Sequence, residues 1–174
     1  METYEWTCET ESAEATRAIG ARLGQLLRNG DVLALIGDLG AGKTVFTQGV
    51  AEGLGIRVPV TSPTFVLINC YRAADGRVLQ HADCYRLTAA SAEMWDIGLT
   101  DLMVDDQILI IEWADRILDL LPTARLEISL TYLDANRRRL VCRAHGAHYI
   151  ELLRQIACTD TGHTVPELTD VACA

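Results

Sequence analysis

Residues Gly37 to Thr44 read GDLGAGKT, and Lys43 within them is the one lysine of a chain whose lysines and arginines together number 15. The octapeptide fits GxxxxGK[ST], the Walker A pattern, with a continuous apolar run before it (DVLALIG, Asp31–Gly37) and a helix-compatible stretch after it. Glycines in such a loop let the backbone turn tightly. They bring the N–H groups of Gly37, Asp38, Leu39, Gly40, Ala41 and Gly42 close to phosphate oxygens, and the dipole of the following helix adds to the attraction. The Lys43 ammonium is compact enough to reach the β- and γ-phosphates of a nucleotide, where a planar, forked guanidinium is too large. The Thr44 hydroxyl is a ligand type for Mg²⁺. The pattern therefore predicts nucleotide phosphate binding. It also predicts that amine reagents label Lys43 beside the α-amino group, and that Mg²⁺ with nucleotide protects it.

Phosphate chemistry needs more than the loop. An acid at a strand end must help hold the metal, and some group must orient the attacking nucleophile. Glu112 closes ILIIE and so stands at the C-terminal edge of a buried strand, where ligands gather in α/β sheets. Asp83, in QHADCYRL, lies in the second strand of an expected hairpin; taken alone it fits a solvated strand carboxylate equally well. Ser62 and Thr64, with Thr61, sit in TSPTF just after the phosphate-loop helix, either as a γ-phosphate sensor or as a plain turn around Pro63. His81 can orient Asp83 or serve structure alone. Arg86 can pair with phosphate or with an acid, and Trp113 is by default a packing aromatic. Arg137, Arg138 and Arg139 form a basic turn that is ordinarily a solvated hairpin end, from which one side chain can reach a nucleotide.

The elements that must position these groups can be read from hydrophobic period and turn chemistry. SAEATRAIGARLGQLLR (Ser12–Arg28) is a helix with Ala15, Ile19, Leu23, Leu26 and Leu27 on one face, ended by Asn29-Gly30. VLALI and QILIIEW are buried strands. A helix opens near Gly42 and runs to GLG (Gly53–Gly55). FVLINCY and RVLQHADCY form a hairpin about Asp75-Gly76, and RLEISLTYL with RRRLVCRAH forms another. SAEMWDIGL is a short helix capped by Ser91, ADRILDLL a helix stopped by Pro122, and HYIELLRQIA a closing helix. The fold class expected is α/β: a mixed sheet with parallel core strands, flanking helices and added β-hairpins. Residues 1–158 form one domain and 159–174 a flexible tail.

A chain of 174 residues with 49% hydrophobic and 22% charged side chains can bury an ordinary core. The net charge of −9 opposes direct adhesion to nucleic acid, so any service to RNA would run through a partner. Six scattered cysteines without a CxxC pair read as reduced thiols. The acidic N-terminal stretch without an apolar core gives no sign of export, and no apolar run is long enough to cross a bilayer, so a cytoplasmic location is expected.

GDLGAGKT, SPTF, HADCYRL and IIEW, in this order and spacing, together resemble the bacterial TsaE (YjeE) family, and the likeness covers about Glu11 to Arg143. SAEMWDIGLTDLM also looks like that family's acidic helix followed by a glycine. The resemblance implies a P-loop NTPase-like fold and an ATPase of the tRNA threonylcarbamoyladenosine pathway. It implies that Gly37 to Thr44 hold the phosphates of ATP and that Thr44 and Glu112 hold Mg²⁺. Asp83 would assist the metal or the attacking water, Ser62 to Phe65 would form a switch-like loop, and Trp113 would be needed for activity. Residues before the first helix would help hold adenine, with Arg137 a weaker nucleotide contact. The catalytic set is then Lys43, Asp83 and Glu112. The implied partners are a threonylcarbamoyl-transferase subunit and its inactive homologue, with tRNA reached only through that complex and neither membrane nor DNA involved. Cys84 stands where the family usually has leucine.

Two other readings fit the phosphate loop: a small-molecule kinase with the Arg137–Arg139 turn as lid, and a nucleotide-gated interaction module. No NKxD-type guanine-reading motif occurs, which favours ATP over GTP.

Overall fold

The computed structural model describes residues 2–63, 68–86 and 106–159. The elements in order are β1 (Thr3–Thr10), α1 (Ala13–Leu26), β2 (Val32–Ile36), α2 (Lys43–Gly53), β3 (Ile68–Arg72), β4 (Val78–Asp83) and β5 (Ile108–Glu112). Two 3₁₀ turns (Ala114–Arg116, Leu118–Leu120), β6 (Arg125–Tyr132), β7 (Arg138–His145) and α3 (Ala147–Thr159) complete it. The strands form one seven-stranded sheet in the order β1-β7-β6-β2-β5-β4-β3. β2 lies between β5 and β6 and is parallel to both, and β4 is parallel to β5. The two hairpins, β3–β4 and β6–β7, and the pairing of β1 with β7 are antiparallel. The sheet is therefore mixed, with the apolar runs VLALI and ILIIE at its parallel centre, as their unbroken hydrophobicity requires.

Strand alternation divides the core. Leu33, Leu35, Leu79, Ile108 and Ile110 face the side covered by α1, α2 and α3, where Leu23, Phe46, Val50 and Leu153 meet them. Val32, Ala34, Ala82, Leu109 and Ile111 face the other side with Ala114, Ile117 and Leu121. Ser12 caps α1, its Oγ accepting from the N–H of Ala15 at 3.1 Å.

The pair α1–α2 sets the height of the phosphate loop, because α2 begins at Lys43 itself. The helices approach closely through glycines: a Cβ on Gly49 would lie 2.0 Å from the Arg17 carbonyl oxygen, and one on Gly20 would lie 2.4 Å from that of Phe46. Replacing a helical glycine by alanine normally stabilises by about 1 kcal/mol. Here the clash is with backbone, which cannot rotate away, and overpacking of this kind costs about 1–3 kcal/mol. Gly49→Ala is thus expected to lower the urea midpoint rather than raise it, and a raised midpoint would show that the helices part freely.

Three features differ from the sequence expectation or lie beyond it. β1 was not foreseen, although Trp6, Cys8 and Thr10 alternate inward with Glu5, Thr7 and Glu9 at the period of a half-buried strand. ADRILDLL forms two 3₁₀ turns rather than one helix: the break falls at Ile117, whose φ of −138° and ψ of 13° lie outside the helical region. The expected helix at SAEMWDIGL lies outside the described residues; α3 runs through Thr159, and 160–174 also lie outside them. Among the described residues no helix is long and apolar enough to cross a membrane.

Candidate functional site

The loop from Gly37 to Gly42 joins the C-terminal end of β2 to the N-terminus of α2, as the sequence pattern requires. Gly37 passes so near the sheet that a Cβ would sit 2.4 Å from the Leu130 carbonyl oxygen, and Gly42, the residue before the helix, has φ 106°. Neither position accepts an ordinary side chain without strain. Leu39, at the tip, is 84% exposed.

Lys43 closes the loop from below. Its Nζ donates to the carbonyl oxygens of Gly37 at 2.6 Å and Asp38 at 2.8 Å, and lies 3.9 Å from the centroid of the Trp113 ring. The side chain is 4% exposed. Burial pushes the ammonium below the usual lysine range, while the carboxylates of Glu112, Asp83, Asp115 and Asp38 act to hold it up. The same burial opposes amine labelling of Lys43 in the native protein, against the expectation drawn from its being the only lysine.

The two carboxylates foreseen on separate strands come together. β4 and β5 run parallel in a register that pairs Asp83 with Glu112, so both acids leave the sheet side by side on the face covered by α2. Both are buried. Glu112 Oε2 lies 3.2 Å from the Thr44 hydroxyl, and Glu112 Oε1 lies 2.9 Å from His81 Nε2. Asp83 Oδ2 accepts from the Ser62 hydroxyl at 2.8 Å, and Asp83 Oδ1 accepts from the Tyr85 N–H at 2.8 Å. The post-helix loop is thus tied to the acid: Ser62 reaches Asp83, while Tyr71 and Asn69 of β3 bracket Thr61 through its backbone N–H and carbonyl. Thr64 lies outside the described residues.

Trp113 follows Glu112 at φ 60°, the one non-glycine residue with positive φ among those described. A left-handed conformation costs an ordinary side chain about 1–2 kcal/mol. What it secures is a ring turned onto Lys43 and packed against Tyr85 (centroids 5.0 Å apart), with the Arg116 guanidinium 5.6 Å from each ring.

The basic turn holds its arginines in different ways. Asp134 holds Arg137 within the turn, accepting from both its backbone and its guanidinium (Nε to Oδ2, 2.6 Å); those bonds draw the Asp134 carboxyl down to about 2. Its neighbour Arg138 also bonds within the turn, Nη1 donating to the Asp134 and Arg137 carbonyls at 2.8 and 2.9 Å. Its Nη2 reaches the Gly40 carbonyl of the loop at 3.3 Å, and its guanidinium lies 4.6 Å from the Tyr132 ring centroid. Sequence reasoning missed this choice, since three consecutive arginines carry no mark of which one the hairpin register turns inward. Arg138, Asn136, Ser12, Thr16, Gly40 and Gly42 border a cavity of about 300 Å³ beside the loop. A larger cavity, of about 560 Å³, lies at the opposite ends of β2 and β5 near Asp31 and His148, away from these groups.

The assembled chemistry is that of a polyanion site. A glycine loop at a helix N-terminus and a buried ammonium stand beside a hydroxyl and two carboxylates. Among the described residues no cluster of three His, Cys, Asp or Glu side chains can hold a metal by itself. The Thr44–Glu112 pair offers two hard oxygen donors, a set that suits Mg²⁺, which takes few protein ligands and completes its octahedron with phosphate oxygens and water.

The family model described as "Threonylcarbamoyl adenosine biosynthesis protein TsaE" matches residues 10–140. The chain is 44% identical over 115 residues to the tRNA threonylcarbamoyladenosine biosynthesis protein TsaE of Streptomyces coelicolor, covering 66% of this chain and 77% of that one. It is 38% identical over 161 residues to the Bacillus subtilis protein of the same name, covering 92% and 98% of the two chains. The crystal structure of Bacillus subtilis YdiB superposes with a TM-score of 0.77 at 34% identity, over 92% of this chain and 99% of that one.

Proposed function

Because the chain belongs to the TsaE family of tRNA threonylcarbamoyladenosine biosynthesis, we propose that it is an Mg²⁺-dependent ATPase that supports the threonylcarbamoyl-transferase complex. The acceptor is water and the products are ADP and phosphate. The observation that carries the reading is the register of β4 on β5, which sets Asp83 beside Glu112 and opposite the Thr44 hydroxyl at the start of α2.

In this reading Gly37 to Thr44 cradle the phosphates, and Lys43 neutralises charge on the β- and γ-phosphate oxygens as the terminal P–O bond lengthens. Thr44 and Glu112 hold Mg²⁺, with Asp83 beside them; the ion, when bound, shields the negative charge between the phosphates. Asp83 or Glu112 orients the attacking water, and Ser62, already on Asp83 Oδ2, couples the post-helix loop to that carboxylate. The nucleoside lies in the cavity between Ser12, Thr16 and the β6–β7 turn, with Arg138 rather than Arg137 as the arginine that meets it. Residues 1–158 act as the single ATPase domain.

The partners in this reading are the transferase subunit and its inactive homologue. The net charge of −9 leaves the grip on tRNA to them, and in this reading the protein works beside them in the cytoplasm. Measuring phosphate release from Mg²⁺–ATP, with and without the purified transferase pair, tests the proposal. Slow release alone and faster release in the complex are expected. Absence of release in both would overturn it, and transfer of the phosphoryl group to a small hydroxyl compound would replace it with the kinase reading.

A further inference from the structure

His81 is fully buried near the site, 0% exposed, and the function just proposed gives it no task. It stands two residues before Asp83 on β4, opposite Ile110 of β5, so His81, Asp83 and Glu112 share one face of the sheet. Its Nε2 meets Glu112 Oε1 at 2.9 Å, and its Nδ1, equally buried, has no hydrogen-bond partner among the described residues. An imidazole serving only to fill the core would be replaced without loss by an apolar side chain, which has no buried nitrogen to leave unpaired. Among the described residues the only polar contact the ring makes is to the carboxylate.

We infer that His81 is a positioning residue for metal binding: by donating from Nε2 to Glu112 Oε1 it turns Glu112 Oε2 toward Thr44 and the Mg²⁺ position. This rests on the reading of Thr44 and Glu112 as the metal pocket. The need for a tether follows from the neighbourhood. The Lys43 ammonium attracts Glu112 electrostatically, yet its hydrogen bonds go to the Gly37 and Asp38 carbonyls. A carboxylate free to rotate would be drawn onto the ammonium, and the metal and the phosphates would each lose a ligand. The His81 bond holds one oxygen back from that collapse and leaves the other at 3.2 Å from the Thr44 hydroxyl. Partners of metal-binding carboxylates acting in this way change metal affinity by about 10–100-fold when removed.

The test compares His81→Gln with His81→Asn in the full chain. A glutamine amide carries its N–H donor near the place of Nε2, whereas an asparagine amide carries it near the place of Nδ1. The readout is binding of a fluorescent ATP analogue, titrated with Mg²⁺ and repeated in EDTA, with thermal melts of the nucleotide-free proteins alongside. Expected is a loss of Mg²⁺ affinity of about 10–100-fold in His81→Asn, with metal-free nucleotide binding unchanged and near-complete retention in His81→Gln. A merely structural role would lower the melting temperature and weaken binding equally with and without Mg²⁺. Equal Mg²⁺ affinities in the two variants overturn the inference and leave the metal pocket standing. Should His81→Asn not fold, His81→Gln decides alone: retained Mg²⁺ affinity supports the tether, and lost affinity overturns it. Wild-type protein whose nucleotide binding ignores Mg²⁺ would overturn both the inference and the metal pocket.

Discussion

Lys43→Ala is expected to lower the turnover of Mg²⁺–ATP by about 10²–10³-fold, the cost of deleting one well-placed charge-stabilising donor, and Lys43→Arg to restore little of it. The arginine variant is the more telling of the two. Lys43 Nζ sits 2.6 and 2.8 Å from two loop carbonyls and 3.9 Å from the Trp113 centroid, in a pocket that leaves the side chain 4% exposed. A guanidinium keeps the charge but is wider and planar, so it can satisfy the carbonyls only by displacing the loop or the indole. If charge alone mattered, arginine would serve, in a chain where every other basic residue besides histidine is already arginine. Phosphate release measured with the transferase pair present reads the effect, and a far-ultraviolet melt separates it from unfolding. Lys43→Arg with wild-type turnover would show that the pocket selects charge and not shape. Lys43→Ala with wild-type turnover would remove the phosphate loop from the mechanism altogether.

The sequence revealed the parts of this site whose chemistry constrains residue type locally. Glycines that must turn, a lysine that must fit and a threonine that must ligate occupy eight consecutive positions, so their spacing is their geometry. Glu112 was legible for a similar reason, because an acid ending an apolar run marks the C-terminal edge of a buried strand, where ligands gather. What could not be read was pairing across the chain. Nothing near Asp83 says that β4 will lie against β5, and still less that the register sets Asp83 opposite Glu112 rather than one residue away, which would turn the acid to the other face. His81 shows the consequence: in sequence it could orient Asp83 or serve structure alone, whereas the sheet brings it to Glu112. Arg138 was hidden by the same kind of fact. The Asp134 turn fixes the hairpin register, and the register, not composition, decides which of three arginines reaches Gly40. The left-handed Trp113 left no trace in composition either, since its conformation is imposed by what its ring touches.

Glu112→Ala should be the most damaging single change on the carboxylate side, and comparison with Glu112→Gln separates its two jobs. The carboxylate joins α2 and β4 to its own strand, Oε2 facing Thr44 and Oε1 facing His81, while the Glu112 backbone carbonyl accepts from the Cys84 N–H. Alanine keeps the backbone bond but leaves the His81 ring without a partner at either nitrogen, a buried deficit of about 1–3 kcal/mol. It also leaves the Thr44 hydroxyl without its 3.2 Å neighbour. Glutamine keeps the shape and an oxygen able to accept from His81, so its folding stability should remain close to that of the wild type. Turnover should nevertheless fall by about 10²-fold or more in both variants, because a neutral amide cannot offset the charge of Mg²⁺ and is a poor ligand for it beside phosphate. Phosphate release followed against Mg²⁺ concentration, together with urea midpoints, gives both quantities. The decisive comparison is with Asp83→Asn. If Glu112→Gln turned over like the wild type while Asp83→Asn did not, the metal would belong to Asp83, and Glu112 would be reduced to a structural link between α2 and β4. If both lost turnover but only Glu112→Gln lost Mg²⁺ dependence of nucleotide binding, then Asp83, held by Ser62 and the Tyr85 N–H, would be left as the group that orients the water.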